Sequence, residues 1–328
     1  MIIVTGGAGF VGSVLVWRLN EAGRADIVVA DHLGSGPKWK NLAKRQVSEV
    51  LHKHDLFAWL ERHGQAAGIE AIFHIGACSS TTETDVDYLM RNNFQYSVDL
   101  FRYATRMKIP FVYASSGATY GLGENGFGDD PAGISKLVPT NPYGWSKQLF
   151  DAWVLRQVER PPVWVGLKYF NVYGPQEYHK GGQASVVFHA FSQVRDAKSL
   201  KLFKSENKAY AHGEQKRDFI YVKDVADVMM HVLSKPSNIQ SGIYNLGTGT
   251  ARTWSDLGRA VFAAVGAGAP KFEWIDMPAS VRGHYQYFTE AKMDNLRRAL
   301  RWDKAFTTLE DGVRDYVAGH LMKADPFL

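Results

Sequence analysis

One cysteine, Cys78, is all that the 328 residues contain, which excludes an internal disulfide framework and any zinc site built on several thiolates. A chain with so few thiols fits a reducing compartment. Long apolar runs are missing as well: no stretch approaches the roughly 18 consecutive apolar residues that a membrane-spanning helix needs. Met1-Ile2-Ile3-Val4 enters a strand-like run at once, with no basic n-region, long h-region or small-residue cleavage site ahead of it. A soluble, cytoplasmic protein without an export signal is expected. Charge of one sign is not in large excess either, since 38 basic residues face 33 acidic ones for a net +5. The basic residues are scattered rather than gathered into a run, so no nucleic acid and no membrane surface is expected as partner, and attraction to an anionic small molecule fits better. There is no repeat of fixed period and no low-complexity tract. With 45% hydrophobic and 22% charged residues, the chain has the apolar content to bury a core, and bulk disorder is excluded.

In the first half, short apolar β-branched runs alternate with longer amphipathic stretches, the pattern of βαβ units on a parallel sheet. Strands are expected near Ile2 to Val4, Asp26 to Ala30, Ala71 to His74, Phe111 to Ala114 and Val163 to Tyr169. Helices are expected near Phe10 to Ala22, Leu56 to His63, Asp85 to Met107 and Tyr143 to Val158. The spacing predicts an α/β fold with a doubly wound parallel sheet. Beyond residue 170 the alternation loosens, with glycine and polar insertions at His179 to Gln183 and Ser205 to Lys216, and a smaller, mixed C-terminal domain is expected. Arg217 to Val222 and Ile243 to Leu246 read again as strands around the amphipathic run Val225 to Leu233, which predicts a return to the first sheet. The expected division is 1–170 with 217–247 for the first domain, and 171–216 with 248–328 for the second.

Thr5-Gly6-Gly7-Ala8-Gly9-Phe10-Val11-Gly12 lies between the first strand and the first helix. Glycines are needed there because the turn is tight, a pyrophosphate must approach the backbone, and the helix must sit close to the sheet. Free amides at the helix N-terminus then face the phosphates. An ordinary flexible turn would also be glycine-rich. The strand before, the helix after, and Asp31 at the end of the next strand, 19 residues past Gly12, together predict a dinucleotide-binding (Rossmann) turn in which Asp31 binds the adenosine ribose. Asp31 alone speaks for NAD, since it repels a 2′-phosphate. Lys38 and Lys53 are placed either as solvated surface lysines or as the compensating charge that NADP requires, and the two readings stay open at this point.

Tyr143-Gly144-Trp145-Ser146-Lys147 puts a phenol and an ammonium four residues apart on one face of a helix. A phenol is a poor base at neutral pH, and a neighbouring ammonium favours its phenolate. Taken alone, the spacing also describes a surface tyrosine beside a lysine. Its place downstream of the glycine turn, and after a strand ending in Ala114-Ser115-Ser116, gives it a second meaning: Ser116 can hydrogen-bond a reacting hydroxyl or the phenol, completing the base, tuner and orienter that hydride chemistry at a carbinol needs.

With these residues the chain resembles the extended short-chain dehydrogenase/reductase family, whose members act mostly on nucleotide sugars. The resemblance is carried by Thr5 to Gly12, Ser115 to Gly121, Tyr143 to Lys147, and Phe170-Asn171-Val172-Tyr173-Gly174-Pro175. Arg217 to Ala226 and Asn245-Leu246-Gly247-Thr248-Gly249 extend it over essentially the whole chain. Four further segments, Gly76 to Glu83, Asn92-Asn93, Glu177 to Gly181 and Gly283-His284-Tyr285-Gln286, are similar to the subgroup that inverts C6″ of ADP-glycero-manno-heptose in lipopolysaccharide heptose synthesis.

That likeness implies a bound NADP, an ADP-heptose substrate, a homo-oligomer that is pentameric in the best-known members, no metal, and a C-terminal substrate domain. It implies cofactor contacts from Gly6, Gly9, Phe10, Val11 and Gly12 in the turn, and from Asp31, His32, Lys38 and Lys53 at the adenosine end. Ile75, Gly76, Ala77, Cys78, Ser79, Asn92, Lys147, Val172 and Lys180 complete that set. Tyr143 and Lys180 are the implied acid/base pair, with Lys147 binding the nicotinamide ribose and tuning Tyr143, and with Ser116 as orienter. Lys180 read without the resemblance is a surface lysine in a glycine-rich loop. Ser116, Asn171, Gly182, His189, Phe203, Arg217 and Tyr285 fall at positions matching substrate contacts; Arg217 offers a planar fork for a diphosphate, and His189 beside Val186, Val187 and Phe188 reads equally as a packed histidine. Cys78 reads as a small filler rather than a nucleophile.

Three departures stand out: Lys168 where relatives often carry Arg, Gly182 where Ser is common, and a longer loop from Lys208 to Gln215. A 4,6-dehydratase is disfavoured because Ser116-Gly117-Ala118 stands where that group resembles Thr-Asp-Glu. A UDP-hexose 4-epimerase or another nucleotide-sugar oxidoreductase remains the enzymatic alternative. A non-catalytic cofactor sensor is the alternative of another class, although it would have no need of both Tyr143 and Lys147.

Overall fold

The computed structural model describes residues 1–283 and 285–328; His284 of the Gly283 to Gln286 segment lies outside the described residues. Seven strands form one parallel sheet, and their order across it is β10-β6-β5-β4-β1-β2-β3. In chain order the strands are β1 (Ile2–Thr5), β2 (Ile27–Asp31), β3 (Glu49–His52), β4 (Ala71–His74), β5 (Phe111–Ser116), β6 (Trp164–Tyr169), β7 (Asn171–Tyr173), β8 (Leu200–Phe203), β9 (Lys216–Tyr221), β10 (Gly242–Leu246), β11 (Ala251–Thr253) and β12 (Phe272–Ile275). β1, β2 and β4 are buried along their whole length, as near-continuous Ile/Val runs must be when helices cover both faces of a parallel sheet. β3 is an edge strand with mostly exposed residues, and its mixed sequence Glu-Val-Leu-His gives no apolar run from which to read it.

The chain winds outward from β1 through β2 to β3, then restarts beside β1 with β4 and winds the other way. Ligands bind such sheets in the crevice where the order reverses, at the carboxyl ends of the strands. The reversal brings the turn after β1 against the loop after β4 so closely that a Cβ on Gly6 (φ +67°) would lie 2.5 Å from Gly76 Cα. A Cβ on Gly12 would lie 2.2 Å from the Gly6 carbonyl oxygen. Only glycine fits these two positions, which is the structural content of the glycine pattern.

Of the two strands expected to return to the large sheet, β10 does so, pairing in parallel with β6. β9 does not: it pairs with β7 and β11 in a separate three-stranded sheet. The reason lies in Asp218, whose buried carboxylate accepts from the Thr248 amide and hydroxyl and the Gly249 and Ala291 amides at 2.7–3.0 Å. These bonds tie β9 to the turn after β10 rather than to its edge. A Cβ on Gly247 would meet Asp218 Oδ2 at 2.5 Å, so the Arg217-Asp218 and Leu246-Gly247-Thr248-Gly249 segments are two halves of one structural knot. The helix Val222–Ser234 does return, packing on the first helix, Phe10–Glu21.

The long helix expected over Asp85 to Met107 is interrupted by a π turn at Met90–Gln95 between Val86–Leu89 and Tyr96–Arg106. A smaller region holds the three-stranded sheet, the β8·β12 pair, and the helices Val186–Ala197, Trp254–Val265 and Leu309–Tyr316. Its apolar core is continuous with Phe10 and Val14 of the first helix and Val222 and Ala226 of the returning one, so the two regions meet directly over the crevice. No helix among the described residues is long and apolar enough to cross a membrane.

Candidate active site

A cavity of about 740 Å³ opens at the reversal point. Its floor is the glycine turn. Gly9 precedes the helix Phe10–Glu21 in an extended conformation and no side chain caps that helix, so its first-turn amides stand free at a wall formed by Gly9, Phe10, Val11 and Gly12. An uncapped helix N-terminus over a glycine floor fits a dinucleotide pyrophosphate.

Asp31 ends β2 beside this turn. Its carboxylate accepts from the Ala8 amide at 2.9 Å and from the His32 amide at 2.7 Å, and pairs with the Lys38 ammonium at 2.5 Å. Lys38 thus neutralises the acid that would repel a phosphate. A side chamber of about 150 Å³ continues from here and is lined by His32, Lys53, Cys78 and Asn92 as well as Asp31, Lys38, Gly76 and Ala77. Lys53 donates to the Asn92 side chain, and burial lowers the pKa of its ammonium. The π turn explains the two asparagines: it directs Asn92 to Lys53 and Asn93 to the Cys78 amide (2.8 Å), the Cys78 carbonyl (2.9 Å) and the Ser146 hydroxyl (3.0 Å). Asn93 therefore joins the loop after β4 to the helix that carries Tyr143.

That helix, Pro142–Arg156, starts from an Asn141 cap whose side chain accepts from the Gly144 amide, fixing the turn that bears Tyr143. Tyr143 and Lys147 line the cavity with Ser116 from the end of β5 and Lys180 from the turns after β7. Burial raises the Tyr143 phenol, and the group that pulls it back down is the Ser116 hydroxyl. Lys147, expected to act on the phenol, donates instead to the Ala114 carbonyl at 2.9 Å; its stem runs across to β5, and two of its three donors remain for a ligand. Burial draws Lys147 down to about 8, opposed by Asp151. Lys180 sits with its ammonium 5.2 Å from the Phe10 ring centre, and burial lowers it too, opposed by Glu177.

Of the other residues expected at the cofactor, Ile75, Ser79 and Val172 line the same cavity, as does Asn171. Gly182, His189, Phe203, Arg217 and Tyr285 do not line it. Three of these five form a second cluster: the Arg217 guanidinium, 5% exposed, lies 5.1 Å from the Tyr285 ring and 5.6 Å from the Trp254 ring, and Phe203 packs edge-on to Tyr285. Trp254 connects the two places, since it lines the cavity and donates to the Tyr285 hydroxyl at 2.9 Å. Among the described residues no carboxylate pairs with Arg217, and burial lowers it to about 10, which leaves a desolvated cation with room in its chemistry for an anion.

Trp254 and Gln183 escape a reading of the sequence, and Asn93 is visible there only as part of a family segment, without its partners. Gln183 donates to the Ser80 hydroxyl at 2.7 Å across the cavity mouth, a contact between residues 103 positions apart for which no local pattern exists.

Comparison with known proteins agrees with this geometry. Residues 2–247 match the model of the NAD dependent epimerase/dehydratase family. The chain is 48% identical, over the full length of both, to an ADP-L-glycero-D-manno-heptose-6-epimerase from Fusobacterium nucleatum. The crystal structure of the Helicobacter pylori enzyme of that name superposes with a TM-score of 0.80 at 31% identity, covering 97% of this chain and 95% of the other. A Thermus thermophilus UDP-glucose 4-epimerase in complex with NAD superposes at 0.74 with 26% identity, covering 97% of each chain. The matched span contains the glycine turn, Ser116, Tyr143 and Lys147 together, and the chain belongs to the NAD dependent epimerase/dehydratase family.

Proposed function

We propose that the protein inverts C6″ of ADP-glycero-manno-heptose by transient oxidation and re-reduction, a step in heptose supply for lipopolysaccharide. The observation that carries the reading is the convergence, in one cavity, of a dinucleotide turn with Ser116, Tyr143, Lys147 and a lysine from another segment, Lys180. A secondary alcohol remote from any carbonyl cannot be inverted by proton abstraction, because nothing stabilises the carbanion. A nicotinamide held over the glycine turn would supply the hydride acceptance and return that this inversion needs, with no net redox change.

The chain's part is to move one proton at O6″ in each half-reaction. Burial favours the neutral forms of both candidates, the phenol of Tyr143 and the amine of Lys180. Because the two groups come from different segments of the cavity, Lys180 can accept the hydroxyl proton as hydride leaves and Tyr143 can donate one as hydride returns. The reverse reaction exchanges the two roles. Ser116 orients the reacting oxygen, and Lys147 holds the ribose with the donors that Ala114 leaves free. The Arg217, Trp254 and Tyr285 cluster suits the diphosphate and base of the substrate.

The Lys38 and Asp31 ion pair, with Lys53 nearby, supports NADP over NAD. We assign residues 1–170, with the returning segment 222–247, to cofactor binding and 171–221, which carries β9 and Arg217, with 248–328 to substrate, and take the working unit as a homo-oligomer. Incubating ADP-D-glycero-D-manno-heptose with the purified protein and no added nucleotide should give the 6″ epimer by proton NMR. Conversion of a UDP-hexose at C4 in its place would favour the 4-epimerase reading.

A further inference from the structure

Directly behind Ser116 and Lys147 lies an ion pair that the reaction above does not use. Asp151 and Lys168 are both 0% exposed, with 2.6 Å between Nζ and Oδ2. Asp151 also accepts from the Tyr113 hydroxyl at 3.0 Å and the Ser115 hydroxyl at 2.6 Å. Lys168 donates to the Thr119 hydroxyl at 2.8 Å, and Thr119 donates to the Ser116 carbonyl at 2.8 Å. One network therefore joins β5, β6, the turn Gly117–Tyr120 and the helix Pro142–Arg156, the elements that carry Ser116, Tyr143 and Lys147. On that helix Tyr143, Lys147 and Asp151 follow one another at four-residue spacing, on a single face.

Stability is a weak reason for such a pair, because apolar residues of similar volume often replace buried ions without loss. Its location is a better one. We propose that Asp151, clamped by Lys168, is a positioning residue that fixes the end of β5 and supplies the negative charge keeping Lys147 an ammonium. Besides Asp151, the ionisable groups that act on Lys147 are Cys78 from the loop after β4 and His74 on β4, while Tyr143 lies one turn back on the same helix and Lys168 on β6 is held on the Asp151 carboxylate. His74 is held neutral by burial and Lys168 carries the same sign as Lys147, so Asp151 is the carboxylate in this set. Burial opposes the Lys147 charge and Asp151 offsets that in part. Without that carboxylate the amine would lose its proton at lower pH, and with it a donor for the cofactor ribose.

The proposal rests on the role given to Lys147 above, so its test has a readout apart from turnover. The Lys147 side-chain Cε resonance, assigned with Lys147→Met, is followed against pH in the wild type and in Asp151→Asn. Its midpoint should fall by about one pH unit in the variant, and the alkaline limb of the turnover profile should move down by the same amount. Lys168→Arg, which keeps the carboxylate paired, should leave the midpoint in place. Where Asp151→Asn does not fold, the double variant Asp151→Asn/Lys168→Met does not strand the Lys168 ammonium and gives the same reading. A folded variant lacking the carboxylate whose Lys147 midpoint matches the wild type would overturn the proposal, reducing Asp151 to a packing role. A shifted midpoint in a protein that turns over no nucleotide sugar would instead overturn the functional reading and leave the charge assignment standing.

Discussion

Ser116, Tyr143 and Lys147 were legible in the sequence because a helix sets residues four apart on one face and a strand end sets a third beside them. What their side chains do to each other was not legible. The four-residue spacing suggests that Lys147 lowers the phenol, whereas Lys147 is spent partly on the Ala114 carbonyl and Ser116 is the group that favours the phenolate. The difference comes from the length of the lysine stem, which reaches β5 across the helix. Tyr143→Phe removes one hydroxyl and keeps the ring's packing, and turnover should fall by about 10²-fold or more, the usual contribution of a positioned proton-transfer group. Cofactor content, read from the nucleotide released on denaturation, should be unchanged. Near wild-type turnover would make Tyr143 a structural residue.

Elements whose faces are wholly buried, such as β1, β2 and β4, were readable as apolar runs, and the βαβ order followed from them. β3 and the placement of β9 were not, because an edge strand has little apolar pattern and β9 is held by the Asp218 carboxylate, a long-range contact. The π turn was hidden for a related reason: its purpose is to aim Asn92 and Asn93 at partners on other segments. One junction between elements carries its own pH signature. His74 on β4 bonds the Thr5 hydroxyl of β1 at 2.7 Å and the Ser97 hydroxyl at 2.8 Å, and burial depresses its pKa from 6.5 to about 3. The unfolded chain therefore takes this proton more readily than the native one. The stabilising contribution is full above pH 6.5 and is lost as pH falls toward 3, on the order of 5 kcal/mol over the whole range. Urea midpoints at pH 7, 5 and 4 should fall more steeply in the wild type than in His74→Gln. Parallel curves would mean that other groups set the acid sensitivity.

For the molecule as a whole, the crevice at the reversal of strand order places the glycine turn, the group Ser116, Tyr143, Lys147 and Lys180, and the Arg217 cluster along one path, with Trp254 joining the last two. The general region was foreseeable from the glycine turn, while the separation of Arg217, Phe203 and Tyr285 into a second cluster required the fold. Nucleotide released from protein purified without additions should be mainly NADP, because Lys38 already balances Asp31 and Lys53 lies beside them in the side chamber; release of NAD alone would contradict this. The central claim is that one hydride leaves C6″ and returns to the same carbon. Its most direct test is ADP-D-glycero-D-manno-heptose deuterated at C6″, converted without added nucleotide and analysed by NMR and mass spectrometry, with a parallel reaction of unlabelled substrate in heavy water. The account predicts that deuterium stays at C6″ in the epimer and that no solvent deuterium enters that carbon. Solvent deuterium at C6″ would mean a deprotonation route and would contradict the hydride chemistry assigned to Ser116, Tyr143, Lys147 and Lys180.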